Sequence, residues 1–163
     1  MHRRLVACAI LVWISMPLRA WQEIRSDELP ADTFILQQRG ACEHRCPVYR
    51  IIFFADGSAL FDGRSYVRRA ETIRTKVSLE TLGKLIADIK ASGFFDWKER
   101  YAPGVDGCQA PKSDAATVIL SVSTAGKLKT IVHYRGCGGS EPARLTDLED
   151  RIDAAVNSAR WVK

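Results

Sequence analysis

The sequence predicts an α+β domain, a mainly antiparallel sheet of about five to six strands with two helices packed on one face. Three observations carry this. Short runs rich in β-branched and aromatic residues are joined by Asp-Gly and Ala-Gly pairs, the signals of antiparallel hairpins. Two longer stretches place leucine and isoleucine at spacings of three and four, the repeat of an amphipathic helix. The helical stretches follow pairs of strands instead of alternating with single ones, which argues against a parallel crossover sheet.

In chain order, Thr33 to Gln38 is expected as a first strand and Val48 to Phe54, "VYRIIFF", as a second. Pro47 stands directly before it, where a strand can do without an amide donor. Asp56-Gly57 turns the chain into a third strand through Ala59 to Phe61, and Ile73 to Val77 gives a fourth. Ser78 is placed to cap a helix over 79–91 in which Leu79, Leu82, Leu85, Ile86 and Ile89 share one side, and Gly93 ends it. Phe94, Phe95 and Trp97 are expected to close the core beneath that helix. After a long loop, 98–113, a second hairpin runs from Ala116 to Thr124, turns at Ala125-Gly126 and returns from Leu128 to Tyr134. A closing helix is expected from Pro142 to Ser158, with Leu145, Leu148, Ile152 and Val156 in one stripe.

The first twenty residues read differently. Arg3 and Arg4 precede an unbroken apolar run from Leu5 to Ile14, and Ser15 to Ala20 is a polar segment ending in a small residue, the layout of a secretory signal peptide. A run of about ten residues is too short for a bilayer that needs roughly 20, so no membrane span is expected. "LVAC", Leu5 to Cys8, matches a lipoprotein cleavage box superficially but sits too early in the chain. Residues 1–20 are therefore expected to be removed on export to the periplasm or the medium, and 21–163 to form one globular domain. The leader carries Arg3, Arg4 and Arg19 and no acidic residue, so its loss lowers the net charge from +5 to +2. That is no electrostatic footprint for nucleic acid, and the local basic run Arg64, Arg68, Arg69, Arg74 and Lys76 reads as solvated surface.

Export also bears on the cysteines. Cys8 leaves with the leader, and Cys42, Cys46, Cys108 and Cys137 remain, an even number in an oxidising setting. Of three possible pairings, the strand map favours the local one. Cys42 and Cys46 are neighbours at the start of the second strand, while Cys108 enters and Cys137 leaves the second hairpin at the same end of the sheet.

The stretch "CEHRCPVYRIIFFADGSALFDG", Cys42 to Gly63, resembles the signature of an uncharacterised bacterial family, a domain of unknown function with C-x-x-x-C-P-x-Y, a D-G turn and a Y/F-x-G ending. The similarity continues through the capped helix, the Tyr101 to Asp114 loop and the closing helix. Family members usually read C-F-G-x-C-P, and this chain departs from that with Glu43, His44 and Arg45. The resemblance implies a shared fold and frequent export, and no activity.

The chemistry of "ACEHRCPVYR" can be read in several ways. C-x-x-x-C-P resembles the copper motif of Sco-type chaperones, but there the cysteines stand at a strand-to-helix junction, whereas here a β segment follows. Zinc on Cys42, Cys46 and two of His44, Cys108, Cys137 or His133 is a further alternative. The simpler reading leaves His44 in an exposed loop and His133 facing solvent on its strand. Asp106 and Asp114 flank Cys108 and read as turn and cap residues. No nucleophile motif, P-loop, zinc-protease helix or dinucleotide fingerprint is present, and no cofactor is expected. The expectation is an exported, disulfide-stabilised, non-catalytic module that binds a protein, peptide or envelope component, with Tyr49, Tyr101, Asp114 and Arg135 as candidate contacts. The alternative is a redox or metal-handling protein that uses Cys42 and Cys46, with His44 as a third metal ligand.

Overall fold

A computed structural model describes residues 29–163; the expected leader lies outside the described residues. The strands are β1 (Phe34–Arg39), β2 (Val48–Phe54), β3 (Ser58–Ser65), β4 (Thr72–Lys76), β5 (Arg100–Tyr101), β6 (Thr117–Thr124) and β7 (Lys127–Tyr134). They form one sheet in the order β4-β3-β2-β1-β6-β7-β5, antiparallel throughout except where β5 runs parallel to β7. The α+β class holds, with seven strands in a mixed sheet where five to six were expected. The added strand is β5, whose two residues pair with Val132 and His133 inside the stretch read as a loop. Two residues carry no periodicity to read.

The turns follow their glycines. At Ala125-Gly126 both residues have positive φ, +52° and +74°, as a two-residue hairpin turn requires, and the Asp32 carboxylate accepts from both amides at 3.0 and 2.7 Å. At Gly57, φ is +78° and an added Cβ would lie 2.6 Å from the Val77 carbonyl oxygen, so no larger residue fits between this turn and the entry to the first helix.

That helix, α1 (Leu79–Ala91), starts where predicted, with Ser78 Oγ accepting from the Thr81 amide at 3.1 Å. Leu82, Leu85, Ile86 and Ile89 form its buried stripe, and Leu79 is left exposed. A 3-10 turn at Phe94–Asp96 carries Phe94 into the core, with Trp97 behind it. The second helix, α2 (Ser140–Ala155), is shorter than the predicted 142–158 at its far end. Asn157 adopts a left-handed φ of +52°, its amide donates to Ala154 O and the Ser158 amide to Asp153 O, the bonding that stops a helix at a left-handed residue. A last turn, α3 (Ala159–Val162), then sets Trp161 against Phe61 at 4.9 Å.

Both long helices cover the same face of the sheet. Strand register explains which one: Ile35 lies opposite Phe53 and Val122, and Ile51 opposite Phe61, so the fully buried side chains form one apolar surface. Leu82, Ile89, Leu145 and Ile152 close over it. Among the described residues no helix is long and apolar enough to cross a membrane.

Candidate functional site at the cysteine-bearing end

Antiparallel pairing brings the chain leaving β1, entering β2, entering β6 and leaving β7 to one end of the sheet. All four described cysteines are there. Cys42 is bonded to Cys46 and Cys108 to Cys137, with Cα separations of 5.5 and 4.8 Å. The second bond sits on a backbone seam in which Gln109 and Gly138 exchange hydrogen bonds of 2.9 and 2.7 Å and the Lys112 amide donates to Gly136 O at 2.8 Å. An added Cβ at Gly136 would stand 2.4 Å from both the Lys112 carbonyl oxygen and the Tyr134 ring, so the seam can close only on glycine. The Tyr134 hydroxyl donates to Lys112 O and accepts from the Ala115 amide.

The two disulfide loops are tied to each other by His44. Its amide donates to Asp114 Oδ1 at 3.2 Å and its Nδ1 lies 2.5 Å from Oδ2, with the imidazole itself mostly exposed. Desolvation works to raise the Asp114 pKa, but the hydrogen bonds from the His44 side chain and backbone outweigh it and hold the carboxyl below its ordinary range.

Behind the loops, polar side chains occupy the core face at the end of the sheet. Gln37 and Arg39 alternate with β1's outward residues and point beneath α2, where Asp153 receives them. The Asp153 carboxylate accepts from Gln37 Nε2 at 3.0 Å, Arg39 Nε at 2.9 Å, the Tyr49 hydroxyl at 2.7 Å and Ser158 Oγ at 2.7 Å, and also meets Arg39 Nη2. Desolvation works to lower the Arg39 pKa, yet the Asp153 charge more than offsets it, so the guanidinium stays charged. Burial, then the same anion, pushes the Tyr49 phenol well above its ordinary value. One turn earlier on α2, Glu149 meets His133 Nδ1 at 2.7 Å with both side chains fully buried, and Arg135 Nε approaches its other oxygen at 3.5 Å. Arg135 Nη2 continues outward to Asp150 at 3.0 and 3.2 Å.

The candidate contacts therefore fall into two groups. Tyr49 and Tyr101 lie inside: Tyr49 belongs to the Asp153 cluster, and Tyr101, in β5 and fully buried, donates to Glu141 at the start of α2. Burial and then that hydrogen bond push the Tyr101 phenol up to about 12. Asp114 and Arg135 reach the surface, the first beside His44 and the second beside Asp150. His133 corrects the reading that set it toward solvent. It shares the core face of β7 with Ile131, and Glu149 supplies the partner that lets a histidine stay there.

Gln37, Arg39, Glu149 and Asp153 were not singled out in the sequence, although a signal existed. Gln37 and Arg39 continue Ile35's two-residue alternation, and Glu149 and Asp153, four apart, run beside the Leu145, Leu148, Ile152 stripe. Most polar groups of this cluster are committed to one another, while Gln37 Oε1, His133 Nε2 and Glu149 Oε2 are buried without a hydrogen-bond partner. Among the described residues no three His, Cys, Asp or Glu side chains are grouped to hold a metal ion, and both cysteine pairs are oxidised.

Fold and site together define a small α+β domain whose loops are braced by two disulfides at one end of its sheet. The chain belongs to the DUF6438 family, a domain of unknown function, whose family model matches residues 33–156. No curated protein matches it.

Proposed function

We propose that this is an exported, non-catalytic recognition module that binds a protein, peptide or envelope component through the cysteine-bearing end of its sheet. The single observation that carries the reading is the bracing of that end. Two disulfides and the His44–Asp114 contact hold three loops in fixed relation, so the surface formed by Glu43, His44, Arg45, Asp114 and Arg135 is pre-organised. Tyr49 and Tyr101 support it from within. Export rests on the leader-like residues 1–20 and agrees with oxidised cysteines. A photo-reactive amino acid at Arg45 should crosslink the full chain to a partner in its own compartment, and one at Lys84 on α1 should not. Equal crosslinking at both positions would remove the basis for the reading.

A redox role for Cys42 and Cys46 is the second reading, and one observation favours it. That disulfide is half-exposed in a four-residue step, whereas Cys137 of the other pair is buried. Alkylation of free thiols in protein taken directly from its compartment separates the two. Complete oxidation supports the recognition module, and a substantial reduced fraction at Cys42 and Cys46 alone supports redox cycling.

A further inference from the structure

Among the described residues no helix covers the face of the sheet opposite α1 and α2, and its two halves differ in the continuity of their apolar positions. Antiparallel sheets with one solvated face put polar residues on it. On the β6–β7 half the outward positions mix polar and apolar, with Ser121, Ser123 and Thr130 beside Ile119, Val132 and Leu128. On the β1–β3 half the apolar positions are continuous. Phe34 lies beside Phe54, Leu36 beside Ile52, and Ile52 beside Leu60, making a contiguous apolar surface that none of the helices covers. Phe54 is 40% exposed, and between Phe34, Ile52, Phe54 and Ala55 lies an open depression of about 710 Å³.

The border of this surface toward β4 is basic. Arg74 stands next to Leu60, and Lys76 next to Ser58; both are exposed and neither has an ion-pair partner among the described residues. Arg50 and Arg64 converge on Asp62 at 3.0 and 2.7 Å, leaving that one carboxylate outnumbered. Two acids line the depression at its turn end, Asp32, which accepts from the Ala125 and Gly126 amides, and Asp56, which accepts from the amide and hydroxyl of Ser58 and feels the Lys76 charge, so the basic excess lies toward Arg50, Arg64 and Arg74.

We infer that the β1–β4 half of the open face is a docking surface for a partner-protein segment that inserts aliphatic or aromatic side chains over Phe34, Ile52 and Phe54 and presents carboxylates to Arg74 and Lys76. Charge complementarity selects this occupant. A second copy would bring the same excess of basic side chains, with Arg50 and Arg64 sharing Asp62 and Arg74 and Lys76 unpaired among the described residues, and so supplies no matching acidic surface. A lipid surface is matched by several protruding apolar side chains, whereas here Phe34 and Ile52 are half-buried in the wall of a depression and Phe54 alone of its lining aromatics is exposed. This surface lies away from the cysteine-bearing loops and does not depend on them.

Selection of a displayed random peptide library against the oxidised full chain tests the inference. Enriched peptides should combine apolar residues with Asp or Glu. A synthetic enriched peptide should lose affinity by about tenfold or more on Phe54→Ser and on the double change Arg74→Glu, Lys76→Glu, and also as salt rises. The unfolding midpoint of each variant verifies that it is folded, and an Arg45→Ala variant should bind the peptide normally. Four results would overturn the inference: no enriched peptide sensitive to these changes, enrichment of basic peptides, co-sedimentation with phosphatidylglycerol vesicles that depends on Phe54, or self-association abolished by Phe54→Ser.

Discussion

Truncating Asp153 to alanine probes the polar cluster where it is most concentrated. Four side chains donate to this carboxylate, and Arg39, only 8% exposed, would keep one ion-pair partner, Asp150 Oδ1 at 3.2 Å on a side chain that is 58% exposed, with the Glu149 charge farther off. Removing one partner of a buried ion pair costs about 3–5 kcal/mol, because the other charge stays behind. The orphaned Tyr49 and Gln37 donors push the loss toward the upper part of that range. Against a total stability of about 5–15 kcal/mol for an ordinary domain, this is a large fraction. With a urea m-value of about 2 kcal/mol/M, the midpoint should fall by about 2 M at unchanged slope. Asp153→Asn, which keeps an acceptor but loses the charge, should lie between wild type and alanine. Changing Arg39→Met and Asp153→Leu together should recover most of the loss, since an apolar pair leaves no buried charge unpaired. A loss below about 1 kcal/mol for Asp153→Ala, the level of an exposed pair, would refute this account of the cluster.

Other expectations follow from the same geometry. Replacing Cys108 and Cys137 by serine should cost about 3.5 kcal/mol and replacing Cys42 and Cys46 about 2 kcal/mol on loop entropy, with the native fold retained; non-reducing urea titrations that reverse this order contradict it. Gly136→Ala should destabilise by about 1–3 kcal/mol in the same assay, because backbone must move away from a Cβ 2.4 Å from Lys112 O. Tyr101 has a folded pKa of about 12, above the unfolded value of about 10, so its contribution is complete below pH ~10 and is lost as pH rises through ~12. Unfolding free energies measured across that window should decline less steeply in Tyr101→Phe. Asp114 titrates below its ordinary range, so its contribution is present above that range and is lost as acid carries pH down through the lowered value. Carboxyl NMR titration should show it raised in His44→Ala, which removes the imidazole and keeps the backbone amide.

The elements that repeat a pattern were legible in the sequence. Strands with two-residue alternation, the Ser78 cap and the Ala125-Gly126 turn all stand where local chemistry puts them. The disulfide pairing was legible too, because it follows from hairpin topology once the strands are placed. What escaped depended on contacts distant in sequence. β5 exists only because β7 accepts it, and α2 stops early because Asn157 takes a left-handed conformation that the apolar stripe does not announce. The polar cluster was hidden for a related reason. His133 reads as an outward residue until Glu149, 16 positions away, is brought over the sheet, and Arg39 meets Asp153 only across 114 positions. Tyr49 and Tyr101 looked like surface contacts for want of the carboxylates that hold them inside.

The most direct test of the account as an exported, disulfide-braced recognition module is the intact mass of the protein isolated from its own compartment without reduction, followed by non-reduced peptide mapping. The account predicts a chain lacking residues 1–20, with Cys42 linked to Cys46, Cys108 linked to Cys137 and no metal retained. A chain that keeps Met1, carries a lipid on Cys8, or shows Cys42 and Cys46 as free or metal-bound thiols would contradict it.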